Sequence, residues 1–200
     1  MFHEIWIDQL YSPAGYEIKD DYSVVDIGAN IGVFSLYAAS AARNVRVRAF
    51  EPFPTNSEYF SRNRDESGAE NVELITAAVA DSEGTRILQV EDSWILHSLA
   101  EKGSSVGGIE VACVSLAEAL NGIERCHLLK IDCEGGEYEI LYSAAPETLA
   151  KIDRIVCEFN IGQSDGENGE QLAHFLVSHG FHIESVRTLD ESAGFICAKR

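Results

Sequence analysis

The chain reads as an α/β protein with a doubly wound, mainly parallel, Rossmann-like sheet that ends in an antiparallel strand pair. Three observations predict this. Apolar, β-branched runs alternate with amphipathic ones along most of the 200 residues, the pattern left by a parallel sheet with helices on both faces. The stretch "VVDIGANIGVF" (24–34) passes from a strand-like run into a glycine-rich turn and then a helix. The last two apolar runs follow one another with no helical segment between them.

The elements follow in order. After a lead-in over 1–20, "YSVVDIG" (22–28) is continuous in Val and Ile, as a strand buried on both faces must be. "VFSLYAASAA" (33–42) has helical character. "VRVRAFEP" (45–52) alternates with period two and stops at a proline. "TNSEYFSRNRDESG" (55–68) predicts a helix capped by Thr55 or Asn56 and closed by Gly68. "VELITAAVA" (72–80) is a third strand. "TRILQV" (85–90) and "GIEVACV" (108–114) are short strands. Between them, 91–108 is less regular; the Gly and Ser content of 103–108 predicts an exposed, mobile loop, and the whole segment is expected to shape a substrate pocket. "SLAEAL" (115–120) makes one or two helical turns. "HLLKIDCEGGE" (127–137) is a strand that exits into a Gly-Gly turn, with a helix to about 143. "DRIVCEFN" (153–160) is a strand. "NGEQLAHFLVSHG" (168–180) is an amphipathic helix with Leu172, Phe175, Leu176 and His179 on one face. "FHIESVRTL" (181–189) and "GFICAKR" (194–200) form the closing pair. No repeat or low-complexity segment interrupts the pattern, so one domain over 1–200 is expected.

Composition bounds the partners. Lys and Arg total 15 against 33 acids, a net charge of −18. Proteins that bind nucleic acid present a basic stripe to phosphates, and an anionic membrane surface would repel this chain. Neither is an expected partner. No apolar run reaches the roughly 20 residues of a membrane span, and "MFHEIWIDQL" has no basic n-region. The five cysteines (Cys113, Cys126, Cys133, Cys157, Cys197) form no CxxC pair. They are expected to be reduced, buried thiols of a cytoplasmic protein, with no structural zinc.

The first turn has the form D-x-G-x-N-x-G, with Asp26, Gly28, Asn30 and Gly32. A nicotinamide dinucleotide, a methyl donor and no ligand at all are the competing readings. The dinucleotide fingerprint requires a glycine where Asn30 stands, because a side chain there blocks the pyrophosphate. A nucleoside without a pyrophosphate has no such requirement. Glu51 ends the second strand, near the distance at which an acid binds ribose hydroxyls. Asp26 is placed to meet the amino-acid end of a cofactor, directly or through water. Together they describe a site for S-adenosylmethionine. The plainer alternative is a loop that needs small residues, with Glu51 a solvated strand end.

The strings "VVDIGANIGVFSLYAA", "FEPFPTNSEYFSRN", "AAVADSEG" and above all "LLKIDCEGGEYEIL" resemble an FkbM-type methyltransferase, one of the class I methyltransferases that use S-adenosylmethionine. The matched blocks run from about 22 to 142. The resemblance implies that Asp26, Gly28, Ala29, Asn30, Gly32 and Glu51 line the cofactor, with Ala78 and Val79 of the 78–81 segment near the adenine. It also implies methylation of hydroxyl groups, often on natural products, sugars or other small molecules. Asn56 follows Glu51 closely enough to reach the cofactor, and equally suits a helix cap.

Methyl transfer requires the acceptor oxygen in line with the methyl, and a hydroxyl acceptor must lose its proton to a base or a metal. Asp132 and Glu134 leave the fourth core strand, and Glu158 and Asn160 leave the next at a similar level. Such a cluster suits Mg²⁺, which prefers oxygen ligands, or takes the proton itself. In the plainer reading Asp132 caps a helix and Glu134 pairs with its N-terminus. His97 has the pKa range of a general base and lies in the substrate segment, where a solvated histidine is the alternative. His174, His179 and His182 read as structural; Trp6 and Tyr11 either cover the cofactor or pack on the sheet, and packing is the favoured reading. Among rivals, a nicotinamide oxidoreductase lacks its second glycine and any Tyr-x-x-x-Lys after the fourth strand. A base-directed amino methyltransferase would carry adjoining prolines, and the four here never adjoin. A nucleoside-binding module without chemistry is the third class.

Overall fold

The computed structural model describes residues 2–90, 97–99, 108–162, 166–190 and 192–200. A short helix α1 (Phe2–Trp6) precedes β1 (Ser23–Ile27), α2 (Val33–Ala41), β2 (Arg46–Phe50), α3 (Pro54–Ser67) and β3 (Val72–Ile75). A second group follows: β4 (Ala78–Ala80), β5 (Gly84–Val90), β6 (His97–Leu99), β7 (Ile109–Ser115) and α4 (Leu116–Ala119). The chain then returns through β8 (Leu128–Ile131), α5 (Glu137–Tyr142), α6 (Pro146–Leu149) and β9 (Arg154–Asn160). It ends with α7 (Gly169–Ser178), β10 (His182–Thr188) and β11 (Ala193–Lys199).

The main sheet has the order β10-β11-β9-β8-β1-β2-β3. It is parallel from β3 to β9, while β11 runs antiparallel to both β9 and β10. From β1 the chain steps outward through β2 and β3, then returns to place β8 on the other side of β1. That reversal opens a crevice at the carboxyl ends of β1 and β8. β8 is buried along its length and β1 in all but its first residue, which accounts for their unbroken apolar runs. Two polar residues interrupt them, and the register sets Asp26 directly beside Lys130.

One apolar cluster, including Ile140, Leu141, Leu172 and Leu176, packs on one face. A second, including Phe34, Ala38, Phe60 and Phe195, packs on the other. The α7 periodicity held: Leu172 and Leu176 are fully buried, and Asn168 caps the helix by accepting from the Gln171 N–H at 3.0 Å. The five cysteines are free; four are buried and Cys133 is partly so. Burial pushes the Cys126 thiol up to about 12. Among the described residues no helix is long and apolar enough to cross a membrane.

Two expectations are corrected. The run 72–80 is not one strand. It breaks at Ala77, whose N–H turns back to the Ile75 carbonyl at 2.9 Å, and 78–80 join a second sheet, β4-β7-β5-β6, by pairing with Cys113–Ser115. Helix α3 begins at Pro54 with Phe53 at its cap, since proline suits the first helical position. Asn56 is therefore inside the first turn and points inward. The predicted loop over 91–108 lies outside the described residues, apart from Gly108 and the three residues of β6, which pair with Leu88–Val90.

Candidate active site

A cleft of about 990 Å³ opens at the carboxyl ends of β1, β2 and β8, at the upper end of the range for small-molecule sites. Its floor is the turn after β1. Gly28 there has φ +75, and the N–H groups of Gly28 and Ala29 both donate to the Phe50 carbonyl at 3.0 Å. A Cβ on Gly28 would lie 1.7 Å from the backbone oxygen of Asp132. This glycine is thus demanded by the close approach of the β8 exit, independently of any ligand. Gly32 is absent from the cleft lining; a Cβ there would meet the Phe60 ring at 2.4 Å, so its smallness serves packing against α3. Asn30 is left-handed at φ 52, a conformation asparagine tolerates better than most residues, and its Oδ1 accepts from the Ile31 N–H at 2.7 Å.

Glu51 lines the cleft opposite this turn and is otherwise buried. Its Oε2 accepts from the Asn30 N–H at 2.8 Å and its Oε1 from the Phe53 N–H at 2.9 Å. Asn56 Nδ2 approaches Oε1 at 3.4 Å. Burial pushes the Glu51 carboxyl up, and these donors and Lys130 pull it back. A carboxylate offers about four acceptor positions, so Oε2, with one donor, keeps room for a hydroxyl in the cleft. Ala78, Val79 and Leu88 supply an apolar wall nearby. A ribose against Glu51 and a flat base against that wall fit this end.

Asp26 does not line the cleft and is fully buried. Ser35 Oγ donates to its Oδ2 at 2.6 Å, and Lys130 Nζ lies 3.1 Å from its Oδ1. The expectation that Asp26 meets a cofactor is therefore corrected. Strand alternation aims it at Lys130, which in turn donates to the Gly28 carbonyl at 2.8 Å and stands 3.5 Å from Asp132 Oδ2. Burial lowers the Lys130 ammonium, but Asp26 and Asp132 outweigh it and hold it above the usual lysine range. Lys130 was missed although its signal was present: a lysine inside the run "HLLKI" must find carboxylate partners to be buried at all.

The opposite end of the cleft is acidic. Asp132, Glu134 and Glu158 all line it. The Tyr11 hydroxyl donates between two of them, 2.8 Å from Asp132 Oδ2 and 3.1 Å from Glu158 Oε2. The reading of Tyr11 as packing alone is corrected: its ring does pack between Phe34 and Phe195, while its hydroxyl reaches the cleft. Burial, and then the two carboxylates, raise its phenol well above the usual range. No periodic signal in the lead-in could have found it, and Trp6 packs edge-on against Tyr37 of α2 rather than on the sheet. Glu134 sits at a left-handed bend, φ 53, and accepts from Asn160 Nδ2 at 3.3 Å. Glu137, also missed, is fully buried. It accepts from the Gly135 and Asn160 N–H groups at 2.9 and 2.6 Å, tying the Gly-Gly turn to the end of β9. Burial pushes its carboxyl up to about 7.

The cap of α5 is Gly136, with no side-chain bond, so Asp132 is not a helix cap. Among the described residues no group of three or more His, Cys, Asp or Glu comes together as a metal site; of the acids read as either a Mg²⁺ site or a proton acceptor, Asp132 and Glu158 share the Tyr11 hydroxyl. The backbone of His97 pairs with Val90 in the second sheet, and its side chain lies outside the described residues.

The seven-stranded sheet, parallel but for β11, with a glycine turn after β1 and Glu51 just beyond β2, is a class I, S-adenosylmethionine-dependent methyltransferase fold. The chain shares this fold with precorrin-6y C5,15-methyltransferase from Geobacter metallireducens, with a TM-score of 0.58 over 96% of this chain and 87% of that one at 17% identity. The chain belongs to the FkbM methyltransferase family, whose domain model, "Methyltransferase FkbM domain", matches residues 26–197. It is 28% identical to the 31-O-demethyl-FK506 methyltransferase FkbM of Streptomyces tacrolimicus over 214 residues, 92% of this chain and 81% of that protein. It is 29% identical to the AMB antimetabolite synthetase AmbE of Pseudomonas aeruginosa over 230 residues. That match covers 92% of this chain, which spans only 10% of AmbE's length.

Proposed function

We propose that this chain transfers a methyl group from S-adenosylmethionine to a hydroxyl group of a small molecule. The observation that carries the reading is one cleft with two chemically distinct ends, Glu51 beside an apolar wall and, across the β1 turn, the carboxylates Asp132, Glu134 and Glu158. Bound there, S-adenosylmethionine would supply an electrophilic methyl group on a sulfonium. Glu51 accepts from the ribose, Asn56 steadies Glu51, and Ala78 and Val79 cover the base. Asp132 and Glu134 orient the acceptor and form its anionic surroundings. An oxygen acceptor also agrees with the name of the Streptomyces tacrolimicus relative, which places the methyl of that protein's product on an oxygen. The charge of −18 argues for a small acceptor rather than nucleic acid or a membrane surface, and five free thiols suit the cytoplasm.

Calorimetric titration with S-adenosylhomocysteine and with NAD⁺ tests the cofactor. Binding of the first alone is expected. Glu51→Ala should weaken it by about 1–3 kcal/mol, the cost of losing hydrogen bonds to a charged group. Binding of NAD⁺ in its place would end the proposal. Release of labelled product from S-adenosylmethionine, screened over sugars, polyols, phenols and hydroxylated macrocycles, then tests the acceptor.

A further inference from the structure

We propose that Glu158 is the group that takes the acceptor's hydroxyl proton, and that Tyr11 and Asp132 set its readiness from opposite sides. The inference rests on the methyltransferase reading above. Three carboxylates face this end of the cleft, and their surroundings separate them. Asp132 has a cation, Lys130, at 3.5 Å and takes the shorter bond from the Tyr11 hydroxyl at 2.8 Å. Glu134 accepts from Asn160 Nδ2. Glu158 ion-pairs with no cation among the described residues, and there its Oε1 accepts no hydrogen bond. Its Oε2 receives only the longer share, at 3.1 Å, of a hydroxyl that has one proton for two carboxylates.

A half-buried carboxylate beside a second one, and short of donors, holds a proton tightly. Burial and then the charge of Asp132 push Glu158 up to about 7; Tyr11 and Lys130 pull it down, and Glu134 pushes it further up. Those are the charged and titratable groups facing it, from the lead-in, from β8 and from the Gly-Gly turn. Its neighbour across β11 is the apolar Phe195. A base that is half ionised near neutral pH suits general-base catalysis. In the transfer, the hydroxyl oxygen forms the bond to the methyl carbon as the sulfur–carbon bond breaks, its electron pair remaining on sulfur. The O–H proton passes to Glu158. One sulfonium charge and one carboxylate charge are lost together, and the proton then leaves to solvent. Tyr11 acts through Glu158, to which its hydroxyl donates, and is a positioning residue.

The test follows the Glu158 carboxyl by ¹³C NMR of the ligand-free protein with Cδ-labelled glutamate, assigned by its absence in Glu158→Gln. The wild-type midpoint should lie near 7. Tyr11→Phe should move it upward, because a donor to the ionised form is gone, and Asp132→Asn downward, because a like charge is gone. The pH profile of methyl transfer to a hydroxyl acceptor found in the screen should move the same two ways. Glu158→Gln should lose about 100-fold or more in turnover with S-adenosylhomocysteine binding unchanged. A wild-type midpoint in the ordinary carboxylate range, unmoved midpoints in both variants, or wild-type turnover in Glu158→Gln would each overturn the inference and leave the methyltransferase reading standing. Wild-type protein that binds no S-adenosylhomocysteine, or methylates no hydroxyl, would overturn both.

Discussion

Lys130→Met should destabilise the protein by about 3–5 kcal/mol, the usual cost of removing one partner from a buried ion pair. The substitution keeps the length and apolar stem of the side chain but strands Asp26, which is fully buried, with only the Ser35 hydroxyl, among the described residues, against its charge. It also removes the donor to the Gly28 carbonyl. For a chain of this size the loss corresponds to roughly 6–20 °C in Tm. Because the flanking carboxylates raise Lys130 above its unfolded value, its contribution is complete below about pH 10.4 and fades only as pH rises through the folded value. The wild-type protein should therefore show no loss from this group around neutrality. Thermal unfolding of both proteins across pH checks this. Adding Asp26→Leu to Lys130→Met should recover part of the loss, and a double variant no better than the single would sink the pairing argument.

Gly28→Ala should cost about 2–5 kcal/mol. A Cβ at 1.7 Å from the Asp132 backbone oxygen forces two strand exits apart, an overpacking term of about 1–3 kcal/mol. The left-handed backbone adds about 1–2 kcal/mol. The consequence goes beyond stability, because the displaced segment carries Asp132 and the turn carries Asn30, the donor to Glu51. Affinity for S-adenosylhomocysteine should fall with stability. Denaturant unfolding alongside calorimetry decides the point: a variant within about 1 kcal/mol of wild type would mean that the turn yields easily and that this contact does not shape the site.

The strand and helix order was legible because each segment carries its own period, and the glycine turn because strand, turn and helix are contiguous. Glu51 could be found for a related reason: it ends a strand at a fixed distance from that turn, and both lie on one edge of the sheet. Asp26 was misread for the same physical reason that Lys130 was missed. From the sequence, an acid before a glycine turn points equally well into the cleft or into the sheet. Only the pairing of β1 with β8, in the register that sets Asp26 beside Lys130, chooses between them. The run 72–80 was likewise read as one strand because its apolar character is continuous, whereas its second half finds a partner only in β7.

By itself, then, the sequence determined a doubly wound α/β chain with a glycine turn after its first strand, an acid at the end of the second, and further acids at the exits of two later ones. These are local properties of composition and spacing. The tertiary structure alone decided which of those acids face the cleft, which is compensated by a lysine, and which shares the hydroxyl of a tyrosine 121 residues away from Asp132. Hydrogen bonding and charge pairing act over about 3–4 Å, and no pattern along the chain encodes distances between segments that become neighbours only when the sheet is assembled.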